Sequence, residues 1–477
     1  MIEDMRIPAA EVKFSNLSFM DVGRVFQWEG KLFRAIRQER VETVRRLFSS
    51  GLIDALVKEK LLVRSNITEH EIDGYGLIVE HEMVRVVSYP REWTFSMLKD
   101  ASLVVLRVNE ISSKYGYQIT DCHGYNILFL GNRPVYIDLG SFSPIQPRDS
   151  SLQFLDEFLR SYYYPIEIWA SLGAAWGTRA VPRPASPMDT EDYLRCRWPI
   201  FRWRIARAAS TFISKLQIAC SYSDEMFEKQ KQLYPHWKIV IAKKCRSIGG
   251  FVISVKNLRR RIQRIRRRKD KTQWSDYHDS FTNKNGEITL SPHLQYVVDL
   301  LASLNVQSIL EIAGNQGILA RTLKKLKPSL LVTCTDADES AIDKGFCASR
   351  VENLSVNWAV LNPFFTELHS TEDSPVNRFQ ADAVVVLALS HHLVLTRGLQ
   401  LDWVLNMLAQ YSGKYILIEF MPLGLYVAGQ ESPSPPAWYN IDWFKREFEM
   451  HFDIINCIPI EENRILFFGC KKQAQYR

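Results

Sequence analysis

The chain predicts an α/β fold: a Rossmann-like, doubly wound sheet in its C-terminal part, preceded by an α+β unit and a helical, basic linker. Three observations predict it. Ser308-Ile-Leu-Glu-Ile-Ala-Gly-Asn-Gln-Gly317 reads as a buried strand, an acidic residue and a tight glycine turn that opens a helix. Leu331-Val-Thr-Cys-Thr-Asp-Ala-Asp338 reads as a second strand ending in acids. Strand and helix patterns then alternate almost to the C-terminus and finish in two strands with no helix between them.

Each element has its own signal. Ser355–Val360 is a third strand, and Ala381–Leu389 is a near-continuous apolar run, as a strand covered on both faces requires. Tyr415–Phe420 is a fifth strand, and Phe452–Ile458 with Arg464–Gly469 is the closing pair. Helical patterns span Gln316–Leu326, Ser340–Phe346, Gln400–Ala409 and Ile441–Phe452. This order is the class I methyltransferase variant of the doubly wound sheet. The turn lacks G-x-G-x-x-G, so no pyrophosphate cradle is expected. A cofactor with a ribose and no phosphate fits better, which points to S-adenosylmethionine. Its candidate contacts are Glu311, Ala313, Gly314, Asn315 and Gly317 in the turn, with Asp336, Ala337 and Asp338 at the second strand's tip. Either His391 or His392, after the fourth strand, is placed to take a proton from an acceptor, since an unperturbed imidazole titrates near neutrality. Glu419 is placed to order the pocket or bind the acceptor.

At 477 residues the chain is too long for one ordinary domain. We divide it into an α+β unit at 1–165, a helical region with a basic linker at 166–272, and the methyltransferase-type domain at 273–477. The N-terminus lacks the basic-then-apolar order of a signal peptide, and no apolar run is long enough to span a bilayer, so a cytoplasmic location is expected. The eight cysteines are scattered without a C-x-x-C pair, which argues against a disulfide framework and a zinc site.

The formal charge of +7 is unevenly placed. Lys256–Lys269 is the most basic run, and Val255, Leu258, Ile262 and Ile265 give it a narrow apolar seam. A solvated helix docked by that seam is the first reading. Peripheral contact with the inner membrane surface or a lipid-linked substrate is the second. Nucleic acid is not expected, because no aromatic residue lies within the run. Arg195–Arg207 does mix arginine with aromatics, but no RNA-binding signature surrounds it.

In the N-terminal part, Gly23–Ile36 reads as a hairpin around Glu29-Gly30, and Glu92–Tyr115 as a long helix. Asp121, Asn126 and the Asp138-Leu-Gly140 turn then follow the spacing of a protein-kinase-like catalytic loop and metal-binding aspartate. On that reading Asp121 orients a hydroxyl, while Asn126 and Asp138 hold Mg²⁺ beneath ATP. Two departures stand beside it. Ile119-Thr120 precedes Asp121 where kinases carry His-Arg or His-Gly, and Arg34 stands where a phosphate-binding lysine is expected.

The chain as a whole resembles bacterial S-adenosylmethionine-dependent methyltransferases related to the rhizobial nodulation host-specificity methyltransferase. The matching stretches are Lys31–Ile36, Ser88–Trp93, Leu98–Ala101, Asp121–Asn126, Tyr136–Phe142, Trp274-Ser-Asp-Tyr277, Glu311–Gly317, Leu387–Leu393 and Ile418–Phe420. The resemblance implies cytoplasmic enzymes of cell-surface glycan or specialised-metabolite pathways, hence a glycan or small-molecule acceptor methylated on oxygen. A bifunctional kinase-methyltransferase, an RNA methyltransferase and a catalytically silent scaffold are the alternatives. The chain departs from the family pattern where Glu311 and Ala313 replace an aspartate and a glycine. It departs again where Trp358-Ala-Val-Leu361 stands in place of an acid that would meet adenine.

Overall fold

A computed structural model of the chain describes residues 6–15, 22–145, 152–181, 188–197, 255–268, 272, 274, 278–281, 288–365, 372–426 and 432–473. The segment 198–207 of the arginine–aromatic run, Lys269 of the basic run, and Ser275–Tyr277 lie outside these residues.

The N-terminal part opens with an antiparallel sheet. Its strands are β1 (Lys13–Phe14), β2 (Gly23–Trp28), β3 (Lys31–Ile36), β4 (Ser65–Ile67) and β5 (Leu77–His81), in the order β1-β2-β3-β5-β4. The predicted hairpin is β2–β3. Glu29 and Gly30 both take positive φ, +48° and +73°, so the two-residue turn follows the right-handed twist of its strands. The long helix runs Phe95–Lys114, and Thr94 caps it by accepting the Met97 N–H at 3.2 Å. Two small hairpins follow: β6 (Tyr117–Ile119) pairs with β9 (Phe142–Pro144), and β7 (Ile127–Leu130) pairs with β8 (Arg133–Tyr136).

The basic run forms a helix over Val255–Arg264, shorter than the run itself. Leu258 and Ile262 are buried against the Phe95–Lys114 helix, so the apolar seam is covered within the chain. Lys99 Nζ ends the helix by donating to the carbonyls of Gln263 and Ile265, at 3.0 and 2.9 Å. The docked reading of the run describes this arrangement. Among the described residues, no helix is long and apolar enough to cross a membrane.

The C-terminal part is the doubly wound sheet. It contains β10 (Ser308–Ile312), β11 (Leu331–Asp336), β12 (Asn357–Val360), β13 (Ala381–Val386), β14 (Ser412–Phe420), β15 (Phe452–Glu461) and β16 (Arg464–Lys471). Their order is β12-β11-β10-β13-β14-β16-β15; the first five are parallel, and β16 runs antiparallel between β14 and β15. The order reverses between β10 and β13, which opens a crevice at their carboxyl ends. Helices Ile318–Leu326, Glu339–Val351, Leu401–Tyr411 and Ile441–Phe448 connect the strands. The last stops four residues short of the predicted Phe452, because Phe452 begins β15.

One hydrophobic core runs through both parts, from Leu98 and Phe129 to Phe346 and Val332. The β7–β8 hairpin closes the open edge beyond β12: the Gly131 N–H donates to Asn357 Oδ1 at 3.2 Å, and Asn132 Nδ2 to the Leu354 carbonyl at 2.7 Å. At the start of the long helix, the Phe95 and Ser96 N–H groups donate to Glu339 and Asp343, each at 3.0 Å. Arg267, just past the basic helix, pairs with the same two carboxylates at 2.8 and 3.0 Å. Two segments of the chain are thus tied to the first turns of the Glu339–Val351 helix.

Candidate active site

The predicted cofactor residues converge at the carboxyl ends of β10 and β11. Ala313, Asn315 and Gly317 hold positive φ of 57°, 52° and 60°, which folds the turn tightly over the strand tips. At Gly314 there is no room for a side chain: a Cβ would stand 2.6 Å from Cys334 Sγ and from the Glu311 carboxyl carbon. Asn315 tolerates the left-handed conformation better than a branched residue would, whereas Ala313 stores modest strain. Trp358 fills the space beneath the turn, its ring against Gly317 and Gly345, and its indole N–H reaches Ser349 Oγ at 3.2 Å. The departure at Trp358 is therefore a packing residue.

The acids divide into distinct roles. Asp336, the last residue of β11, accepts the Asn315 N–H through one oxygen and the Asp338 N–H through the other, both at 2.8 Å. Burial raises its pKa against those N–H donors. A carboxylate has about four acceptor sites, so capacity for a ribose hydroxyl remains beside these N–H donors. Asp338 caps the Glu339–Val351 helix, accepting the N–H groups of Ser340 and Ala341 at 2.9 and 3.2 Å. Ala337, between them, is exposed. Glu311 is buried, and its carboxyl accepts the Ala320 N–H at 3.1 Å. Burial pushes its pKa up to about 8. Glu311 thus braces the first turn of the Ile318–Leu326 helix and holds a proton near neutrality.

A segment that sequence reasoning noted without giving it a role lies over this turn. The Trp274 carbonyl accepts from Asn315 Nδ2 at 2.8 Å, Gln316 Nε2 donates to Asp279 at 2.7 Å, and Lys344 Nζ meets the same Asp279 at 2.9 Å. Thr272 bonds to Asp338. S-adenosylmethionine fits the donor set. Asp336 can hold ribose hydroxyls, and Asn315 Oδ1 is a buried acceptor with no partner among the described residues, suited to an ammonium or hydroxyl donor.

Across the crevice, His391 and His392 follow β13, and a π-helical turn over His392–Thr396 begins at the second of them. Their rings lie 4.1 Å apart, and Trp274 meets His392 edge to face at 5.3 Å. Burial, then His392, then Arg464 lower His391 to about 3, and its Nδ1 is buried without a partner among the described residues. Burial also lowers His392, which stays half-exposed. The expectation of an imidazole that titrates near neutrality is corrected for His391, because the pocket wall strips its solvation. Both rings are shifted toward the neutral form, and His392 is the more exposed of the two.

Glu419 is fully buried at the end of β14. Its Oε2 accepts from the Ala388 N–H at 2.8 Å and from Arg464 Nη1 at 2.7 Å; its Oε1 has no hydrogen-bond partner among the described residues and lies 3.9 Å from His293 Nε2. Ser390 Oγ donates to the Glu419 carbonyl at 2.6 Å. Sequence reasoning missed Arg464 and His293. The β14–β16 register, which pairs Phe420 with Ile465, brings Arg464 alongside Glu419, and no local pattern carries that pairing.

In the N-terminal part, Asp121, Asn126 and Asp138 do come together. The Asp121 carbonyl accepts from Asn126 Nδ2 at 3.1 Å and from the Tyr136 hydroxyl at 2.6 Å. The Asp121 carboxylate lies 3.3 Å from His123 Nε2. Asp138 Oδ1, however, already accepts from the Gly140 N–H at 3.1 Å and pairs with Arg34 Nη1 at 3.0 Å. The Arg34 guanidinium supplies positive charge beside Asp138, while Asn126 is oriented through its Nδ2 and keeps its amide oxygen for other contacts. As arranged, Arg34 would have to leave Asp138 before that carboxylate could join Asn126 in holding a divalent metal.

No family model matches the chain. The nodulation protein NoeA of Rhizobium meliloti (strain 1021) is 22% identical over 432 residues, which cover 85% of this chain and 84% of that protein. Among solved structures, the PH0226 protein of Pyrococcus horikoshii OT3 matches 41% of this chain and 99% of its own, with 12% identity and a TM-score of 0.32. An O-methyltransferase family protein from Burkholderia thailandensis matches 38% of this chain and 57% of its own, with 14% identity and a TM-score of 0.28. A SAM-dependent methyltransferase from Aquifex aeolicus matches 38% and 89%, with 12% identity and a TM-score of 0.29. At such scores these likenesses carry no weight, and the fold rests on the strand order itself.

Proposed function

We propose that the chain is an S-adenosylmethionine-dependent methyltransferase that modifies a hydroxyl oxygen, with a sugar hydroxyl of a glycan or specialised metabolite as the acceptor class. One observation carries this reading: the tight turn with Asp336 and the histidine pair with Glu419 face each other across the crevice where β10 and β13 part. The bound cofactor supplies a methyl group activated on a sulfonium. The chain's own residues do the rest. Asp336 and the turn hold the ribose and methionine ends, and the crevice brings acceptor and methyl together. His392, neutral and half-exposed, takes the acceptor's proton on a ring nitrogen. Arg464 fixes the Glu419 carboxylate, whose second oxygen is left to order the acceptor side.

The resemblance to nodulation-type methyltransferases supports the sugar acceptor, and the polar, uncharged character of the histidine rim suits a neutral hydroxyl. In this reading the N-terminal part is a platform for the methyltransferase sheet and not a phosphotransferase, since Arg34 already neutralises Asp138. The test is turnover: the purified full chain, given S-adenosylmethionine and a panel of mono- and oligosaccharides, should release S-adenosylhomocysteine with at least one of them. A chain that binds neither cofactor nor product would end the proposal.

A further inference from the structure

Trp274 belongs to neither wall of the crevice, yet it touches both. Its carbonyl is held by Asn315 Nδ2 on the turn after β10, and its ring packs edge to face against His392 after β13. Although anchored at two points, the residue remains 41% exposed. It therefore bridges the place where the strand order reverses, the position at which ligands of such sheets bind.

The geometry also sets which end of the cofactor lies beneath it. Asp336 marks the ribose on the β11 side, so the opposite, reactive end extends toward β13 and His392, where an acceptor must approach. An indole over that end meets a sulfonium, a cation with little capacity for hydrogen bonding. An aromatic face attracts such a cation through its quadrupole, and tryptophan does so best. On the basis of the cofactor site described above, we propose that Trp274 is a cofactor-binding residue whose ring recognises the positively charged sulfonium. It thereby makes the site prefer S-adenosylmethionine over the neutral thioether product, which helps the product to leave.

The test compares the two ligands on the full chain by calorimetry. In wild type, S-adenosylmethionine should bind more tightly than S-adenosylhomocysteine. Trp274→Ala should weaken S-adenosylmethionine by about 2- to 30-fold, the range of a cation–π contact, while leaving S-adenosylhomocysteine nearly unchanged. Trp274→Phe, which keeps an aromatic face, should retain most of the preference. Equal losses for both ligands would make the ring a packing element, and no loss for either would place it outside the site; both outcomes overturn the proposal. Asp336→Ala, which should weaken both ligands alike, serves as the control. Failure of wild type to bind either ligand would instead reject the cofactor site itself.

Discussion

Arg378 and Glu92 form a two-pronged ion pair, with nitrogen–oxygen distances of 2.7 and 2.6 Å, and both side chains are almost inaccessible to water. Arg378 lies in the helix before β13, and Glu92 closes the turn that leads into the long N-terminal helix. The guanidinium also donates to the carbonyls of Val87 and Asp373 and stacks over Tyr89. Every side-chain nitrogen and oxygen of the pair itself has a partner, so it joins the two parts without leaving a bare charge.

That arrangement predicts one unfolding transition for both parts. Glu92→Ala strands a buried guanidinium and should cost about 3–5 kcal/mol, read as a fall in Tm. Replacing both residues with methionine should cost less than either single loss. Two separate transitions in wild type would show that the pair does not couple the parts.

Asp336 should be the main polar anchor of the cofactor. Losing a charged hydrogen-bond partner there should weaken S-adenosylmethionine by about 1.5–3 kcal/mol in Asp336→Ala. The same substitution frees the Asn315 and Asp338 N–H groups, so Tm should fall as well. An unchanged dissociation constant would remove Asp336 from the site.

Glu311 should keep its proton at neutral pH. Its folded pKa of about 8 lies above the ordinary 4.5, so its contribution to stability is full below the ordinary value and is lost as pH rises through about 8. Glu311→Gln should therefore gain in Tm relative to wild type as pH is raised over roughly that window. A constant difference across the window would show that the carboxyl titrates normally.

The two histidines should separate by function. His392→Ala should lower turnover by about 10²–10⁴-fold with cofactor affinity kept, whereas His391→Ala should act mainly on stability. His391 is depressed to about 3 from 6.5, so the stability it contributes is present above the ordinary value and is lost as pH falls toward about 3. His391→Gln should flatten the acid limb of a Tm-against-pH profile. If both alanine variants turn over like wild type, proximity alone suffices or the base lies elsewhere.

Arg34 should make the N-terminal group indifferent to metal nucleotide. Millimolar ATP with Mg²⁺ should leave the wild-type Tm unchanged, because binding to the folded state would have to displace the guanidinium from Asp138. A clear rise in Tm, abolished in Asp138→Asn, would restore the phosphotransferase reading.

Sequence periodicity by itself determined the C-terminal sheet. Continuous apolar runs such as Ala381–Val386, separated by helical patterns, allow little but buried parallel strands, and the glycine turn with Asp336 fixed which strand ends matter. The Glu29-Gly30 hairpin and the seam of the basic helix were equally legible, because turn chemistry and amphipathic spacing are local. Only the tertiary structure decided the rest. Arg464 meets Glu419 through a strand register, and Trp274 meets His392 across a crevice. Arg34 takes the charge of Asp138, which the spacing of the aspartate turn alone suggested for a metal. Each of these pairs lies far apart in the chain, and such contacts leave no periodic trace. The same holds for ionisation: Glu311 is a carboxylate by composition, and burial beneath the glycine turn makes it an acid that keeps its proton near neutrality.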